Sequence, residues 1–208
     1  MLLYHRPTSG HSYKARLLLS FLEIEYDEAI VNATAGKNVV DPAYYDLNPR
    51  GQIPTIDDDG YIVWGSTAIL VYIATRYDAA GTWLPSEPEK MATVMQWMEL
   101  AQNEINGLFL SRAIQLFGYP GDLASAQQAG NRALDILERR LAGRHWLAAD
   151  GPTIGDIACF PYVALASDNG FALDARPAVS AWIGRMASLK HFIPMPGMES
   201  LLPLVRHA

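Results

Sequence analysis

Ile53-Pro-Thr-Ile-Asp-Asp-Asp-Gly-Tyr-Ile-Val-Trp64 decides how the first third of the chain folds. Ile53–Ile56 and Tyr61–Trp64 are rich in β-branched and aromatic residues, and Asp57-Asp-Asp-Gly60 between them ends on the Asp-Gly pair that favours a tight hairpin turn. Upstream, Met1-Leu-Leu-Tyr4 reads as a strand, followed by a polar loop to His11. A helical stretch runs from Ser12 to Leu22, with Ala15, Leu18, Leu19 and Leu22 at the spacing of one buried face. Tyr26–Val31 reads as a second strand, and residues 32–48, which contain Pro42, read as a loop with at most a short helix. Downstream, Ser66 opens a helix to Tyr77, with Ile69, Tyr72 and Ile73 on one face. The order β-α-β-(α)-β-β-α predicts a small mixed sheet of four strands with helices packed on it.

Beyond Tyr77 the texture changes. Ala79-Ala-Gly-Thr-Trp-Leu-Pro-Ser-Glu-Pro88 has the Gly, Pro and Ser density of a linker. After it the pattern is all-helical. One long helix is expected over Met91–Phe117, with Val94, Met95, Met98, Ile105 and Phe109 inward. Gly118-Tyr-Pro-Gly121 breaks it, Asp122 caps a helix to Leu141, and Gly143 ends that one. Thr153-Ile-Gly-Asp156 has capping-box spacing ahead of a buried helix to Ala166, and Pro177–Met186 gives one more. The expected plan is residues 1–78 as an α/β domain, 79–89 as linker and 90–208 as an all-α domain.

Composition narrows the function classes. Half of the 208 residues are apolar and 18% are charged, so the chain is globular. Sixteen basic residues against 22 acidic ones give a net charge of −6, which argues against nucleic-acid binding. No apolar run approaches the roughly 20 residues of a membrane span, and the N-terminus lacks signal-peptide pattern, so a cytoplasmic location is expected. One cysteine rules out an internal disulfide framework or a cysteine metal cluster.

Three stretches lie where backbone can make a ligand site. Thr8-Ser-Gly-His-Ser12 precedes the first helix, where hydroxyls either cap the helix or hold an anion at its positive end. Asn48-Pro-Arg-Gly-Gln-Ile-Pro54 precedes a strand. A cis proline there leaves the backbone of Ile53 open to an extended peptide, whereas a trans proline is an ordinary strand entry, and only about 5–6% of X-Pro bonds are cis. Gly65-Ser-Thr67 opens the next helix, where Ser66 caps it or binds a carboxylate. Singly, each favours the structural role.

Together, in this order and followed by a helical half, they resemble the glutathione S-transferase family over nearly the whole chain. Thr8-Ser-Gly-His-Ser-Tyr-Lys-Ala-Arg16, Leu47-Asn-Pro-Arg-Gly-Gln-Ile-Pro-Thr55, Gly65-Ser-Thr-Ala-Ile-Leu70 and Thr153-Ile-Gly-Asp-Ile157 carry the resemblance, nearest to bacterial sequences related to the serine-type zeta, theta and nu classes. It implies a thioredoxin-like N-terminal domain, a helical C-terminal domain, glutathione as co-substrate without a metal, a small hydrophobic electrophile as second substrate, and a homodimer. It puts Ser9 at the catalytic hydroxyl and His11 near the thiol or the glycyl end. Ile53, beside a cis Pro54, pairs with the cysteinyl unit, Ser66 holds the γ-glutamyl carboxylate, and Lys37 and Gln52 face the glycyl carboxylate. Phe109, Arg112, Ile114 and Phe117 are expected to line the electrophile pocket.

The sequence departs from the family at Gly65, where relatives carry Glu or Gln. Losing that charge-assisted hydrogen bond is worth about 1.5–3 kcal/mol, or ten- to a hundredfold in affinity. Glu104 is the expected replacement, within the chain or across a dimer. Cys159, Tyr4 and Asp156 read as structural, aspartates 57–59 as a solvated turn, and His5 as a minor candidate for the site. The implied mechanism is stabilisation of the glutathione thiolate by the Ser9 hydroxyl and the helix end. Two alternatives stand beside it: glutathione-dependent disulfide reduction, and a non-catalytic binding or scaffold module, which Gly65 favours.

Overall fold

The computed structural model describes residues 1–31 and 42–204. Strand β1 (Leu2–His5) lies at the centre of a four-stranded sheet, parallel to β2 (Asp27–Ile30) and antiparallel to β3 (Thr55–Asp58), which turns back into β4 (Tyr61–Trp64). The strand order is β2-β1-β3-β4. The hairpin is tighter than Asp57–Gly60 suggests. β3 extends to Asp58, paired with Tyr61, and only Asp59–Gly60 form the turn. Asp58 is therefore no solvated turn residue: it is buried, and its Oδ2 accepts from the hydroxyls of Tyr72 at 2.7 Å and Tyr77 at 2.6 Å.

Helix α1 (Gly10–Phe21) follows β1, the one-turn helix α2 (Tyr44–Leu47) precedes β3, and α3 (Ser66–Tyr77) follows β4. Ala15, Leu18 and Leu19 are fully buried as their spacing predicts, but so are Tyr13, Lys14 and Leu17. The second unit explains this: α1 packs on α3 and also on α7 (Ile154–Ala164). Tyr13 Oη donates to the Ile193 carbonyl at 2.6 Å and Ser20 Oγ to the His191 carbonyl at 2.7 Å, fastening the same helix to the C-terminal segment.

The expected long helix is two: α4 (Pro88–Gln102) and α5 (Asn106–Phe117). Asn103 takes a non-helical conformation, and the Ile105 N–H reaches back five residues to the Leu100 carbonyl at 3.2 Å, so the turn widens by a residue in the manner of a π-bulge and re-aims everything after it. Helix α6 (Leu123–Leu141) begins on an Asp122 cap that accepts from Ala124 and Ser125, and packs on α5. Helix α8 (Pro177–Ala187) packs on α6 and α7.

Helix α7 is buried from Ile154 to Val163, the signature of a central helix, and Cys159 is core within it. The Thr153–Asp156 capping box forms as its spacing predicts. The Asp156 carboxylate does more than cap, accepting from Leu147 N, Trp182 Nε1, Thr153 N and Thr153 Oγ1 at 2.9–3.0 Å. Among the described residues, no helix is long and apolar enough to cross a membrane.

Candidate active site

A cleft of about 590 Å³ opens between the sheet unit and the helices, and all three candidate loops meet in it. Ser9 sits in extended conformation at the N-cap of α1, its Oγ accepting from Ser12 N at 3.2 Å. A hydroxyl that accepts still has its proton to donate, so capping and ligand binding do not compete there. Capping by Ser9 also starts the helix at Gly10, two residues before the expected Ser12. Glycine at position 10 is a packing requirement, since a Cβ would lie 2.7 Å from the Tyr162 ring.

His11 lines the cleft, its ring edge-to-face with Phe109 at 5.4 Å and Tyr162 at 5.2 Å, and its Nδ1 is 3.4 Å from Ser66 Oγ. Burial, with Lys14 and Arg50 adding repulsion, pushes its pKa down to about 3, so the imidazole is neutral at physiological pH. His5 turns away from the cleft: it is buried, with Nε2 3.2 Å from Glu28 Oε1. Tyr4 is only half-buried, edge-to-face on Tyr44 at 5.8 Å.

The turn into β3 is pinned by Asn48, which is buried. Its Oδ1 accepts from Arg50 N at 2.9 Å, and its Nδ2 donates to the Gln52 carbonyl at 2.6 Å and to Thr55 Oγ1 at 3.1 Å. The Tyr44 hydroxyl donates to the same Gln52 carbonyl at 3.0 Å. The Ile53–Pro54 peptide that follows is cis. Among the described residues, the N–H and carbonyl of Ile53 carry no hydrogen bond, while the Pro54 carbonyl accepts from Gly65 N at 3.3 Å. The Gln52 side chain is exposed at the rim, and Lys37 lies outside the described residues.

Gly65, not Ser66, occupies the N-cap position of α3, with φ 89° and no side chain to cap the helix. That backbone conformation suits glycine, although a Cβ would meet nothing within 4 Å. Ser66 is the first helical residue and buried, with Gln102 Nε2 3.4 Å from its Oγ. Glu104 is exposed and outside its own chain's cleft; the amide that approaches Ser66 is Gln102, at the end of α4. The break after Gln102 separates the two.

From the helical side, Phe109, Arg112 and Phe117 line the cleft as expected. Ile114 does not; it faces Gly121, whose Cβ would lie 2.9 Å from Ile114 Cδ1. Tyr162 and Tyr119 also line it, unanticipated. Nothing in the local pattern of the buried run Ile157–Ala166 marks Tyr162, because only docking of α7 on α1 brings its ring to the cleft.

A thioredoxin-like sheet is thus docked on a helical unit, with a cis-proline turn and two helix N-termini facing one cleft. A family model described as "Glutathione S-transferase, N-terminal domain" matches residues 1–75 and one described as "Glutathione S-transferase, C-terminal domain" matches residues 93–185, so the chain belongs to the glutathione S-transferase family. It is 26% identical over 184 residues to glutathione S-transferase D7 of Drosophila melanogaster, covering 87% of this chain and 81% of that one. It is 28% identical over 188 residues to glutathione S-transferase GstB of Escherichia coli, covering 86% and 89%. Its fold superposes on a glutathione S-transferase structure from Pseudomonas fluorescens with a TM-score of 0.85 at 31% identity, covering 94% of this chain and 98% of that one.

Proposed function

We propose that the chain conjugates glutathione to a small electrophile, with Ser9 stabilising the thiolate. The observation that carries this is the unpaired backbone of Ile53, held open between Ser9 at one helix N-terminus and Ser66 at another in a single cleft. A γ-glutamyl tripeptide lies along Ile53 as an added strand, exchanging backbone hydrogen bonds through its cysteinyl unit. Its γ-glutamyl carboxylate meets Ser66 at the positive end of α3, with the Gln102 amide where relatives use the residue before the serine. Its sulfur meets the Ser9 hydroxyl at the positive end of α1.

Free thiols are mostly protonated at neutral pH, and only the thiolate attacks. A hydroxyl donating to sulfur and a helix N-terminus both favour the charged form. The neutral His11 adds no charge to this, and serves as a wall and hydrogen-bonding ring between the two serines. On binding, the thiol proton passes to solvent; the thiolate then forms a C–S bond with an electrophile held against Phe109 and Phe117, as either a leaving group departs with its bonding pair or a conjugated π pair shifts onto a carbonyl oxygen. The same reading makes the chain a homodimer, closed through the open apolar groove of Val63, Val71, Tyr72, Met95 and Met98 between β4, α3 and α4.

Calorimetric titration with glutathione in two buffers of different ionisation heat tests this. Micromolar-to-millimolar binding with proton release near neutral pH is expected, and Ser9→Gly removes the proton release. Absence of binding overturns the reading.

A further inference from the structure

The cleft is basic in an acidic protein. The chain carries a net charge of −6, yet among the described residues the cleft lining includes Arg6, Arg50 and Arg112 and no Asp or Glu. Arg112 is the unusual one. It projects from α5 at 8% exposure, with Nη1 fully buried, and among the described residues none of its N–H groups donates a hydrogen bond and no carboxylate pairs with it. Its neighbours are the Phe117 ring, 5.3 Å from the guanidinium carbon, and the Tyr162 hydroxyl, which feels its charge. Asp168 is the nearby acid, exposed and not paired with it: a Cβ on Gly197 would lie 3.4 Å from Asp168 Oδ2 and 3.9 Å from Arg112 Nη2.

A buried guanidinium N–H edge without a partner is costly, and the fork of donors it belongs to, open to the cleft, matches a carboxylate. Its placement says which ligand supplies one. The Tyr162 ring and hydroxyl lie against Gly10 at the N-terminal end of α1, next to Ser9, and Arg112 lines the same cleft from the helical wall among aromatic rings, so a ligand with its sulfur at Ser9 shares the cleft with the guanidinium. We propose that the second substrate is an electrophile bearing a carboxylate, which Arg112 receives while Phe109 and Phe117 hold its apolar body. This rests on the cleft being glutathione's and narrows the electrophile from merely hydrophobic to amphipathic and anionic. For an enone of this kind, the thiolate forms a C–S bond at the β-carbon. The alkene π pair moves to the carbonyl oxygen, the α-carbon takes a proton from water, and nothing leaves.

The test compares ethacrynic acid, an enone with a remote carboxylate, with its methyl ester, each rate divided by its uncatalysed rate with glutathione. Wild type is expected to prefer the acid by about ten- to a hundredfold in kcat/KM, the strength of a charge-assisted pair. Added salt should erode that preference. Arg112→Met should collapse it, and Arg112→Lys should restore part of it. Equal use of acid and ester by wild type, or a preference that survives Arg112→Met, overturns the proposal. So does a fall in glutathione affinity with the preference intact, which assigns Arg112 to glutathione's own carboxylate. Should glutathione not bind at all, the proposed function falls, and titrating acid and ester alone still decides this one: Arg112-dependent binding of the acid supports it, and equal binding overturns it. Because the wild-type ratio needs no variant, misfolding of Arg112→Met leaves the test standing.

Discussion

Ser9 holds two positions at once, and its variants separate them. Ser9→Ala removes both the proposed donor to sulfur and the cap on Ser12 N, so about 1 kcal/mol of stability is expected to go with the activity. Ser9→Gly keeps most of the capping preference, costs only a few tenths, and should lose turnover about ten- to a hundredfold all the same. Urea melts beside steady-state rates distinguish the two losses. Gly65→Gln makes the opposite trade. Open space awaits the side chain, but φ 89° strains any residue with a Cβ, so tighter glutathione binding should come with about 1–3 kcal/mol less stability. The loops at Ser9 and Pro54 were legible as a helix start and a strand entry because that chemistry is local, but local chemistry favoured a trans proline, and the cis peptide followed only from the family resemblance. Gln102, Tyr162 and the position of Ile114 were not legible, since each depends on where one helix meets another.

At the scale of elements, the contact of α1 with α7 decides how the two units join, and it holds an uncompensated charge. Lys14 is fully buried on α1, its Nζ without a hydrogen bond, and burial pushes its pKa down to about 8 against a weaker opposing effect of Cys159. Between about pH 8 and 10.5 the unfolded chain therefore binds the extra proton, so stability rises with pH across that window and the full penalty is present below it. Its size is on the order of 3 kcal/mol. Denaturant melts at neutral and alkaline pH check this: Lys14→Met should remove the slope and stabilise the protein near neutrality. Asp156 is the converse, a buried carboxylate with four donors. Asp156→Ala should cost roughly 3–5 kcal/mol with glutathione affinity in the surviving folded protein unchanged. The capping box was readable from Thr153 and Asp156, but Trp182 and Leu147, which complete the network, lie too far along the chain for any spacing rule. The break between α4 and α5 escaped for another reason: Asn103 and Glu104 are tolerated in helices, and the apolar pattern runs on through Ile105 and Phe109.

Over the whole molecule, the order of strands and helices along the chain, the mixed sheet and the helical second half followed from periodicity and turn residues, while the cleft arises only from docking the two units. The open apolar groove between β4, α3 and α4 belongs to the same scale. Val71→Glu places a charge in it and should shift sedimentation from dimer to monomer; an unchanged dimer would move the interface elsewhere. The central claim is that this cleft binds glutathione and ionises its thiol beside Ser9. Thiolate absorbance of enzyme-bound glutathione, followed against pH in wild type and Ser9→Gly, tests it most directly. The account predicts a bound thiol pKa about one to two units below that of the free peptide, reverting towards the free value in Ser9→Gly. A bound thiol that titrates like the free one in both proteins would contradict it.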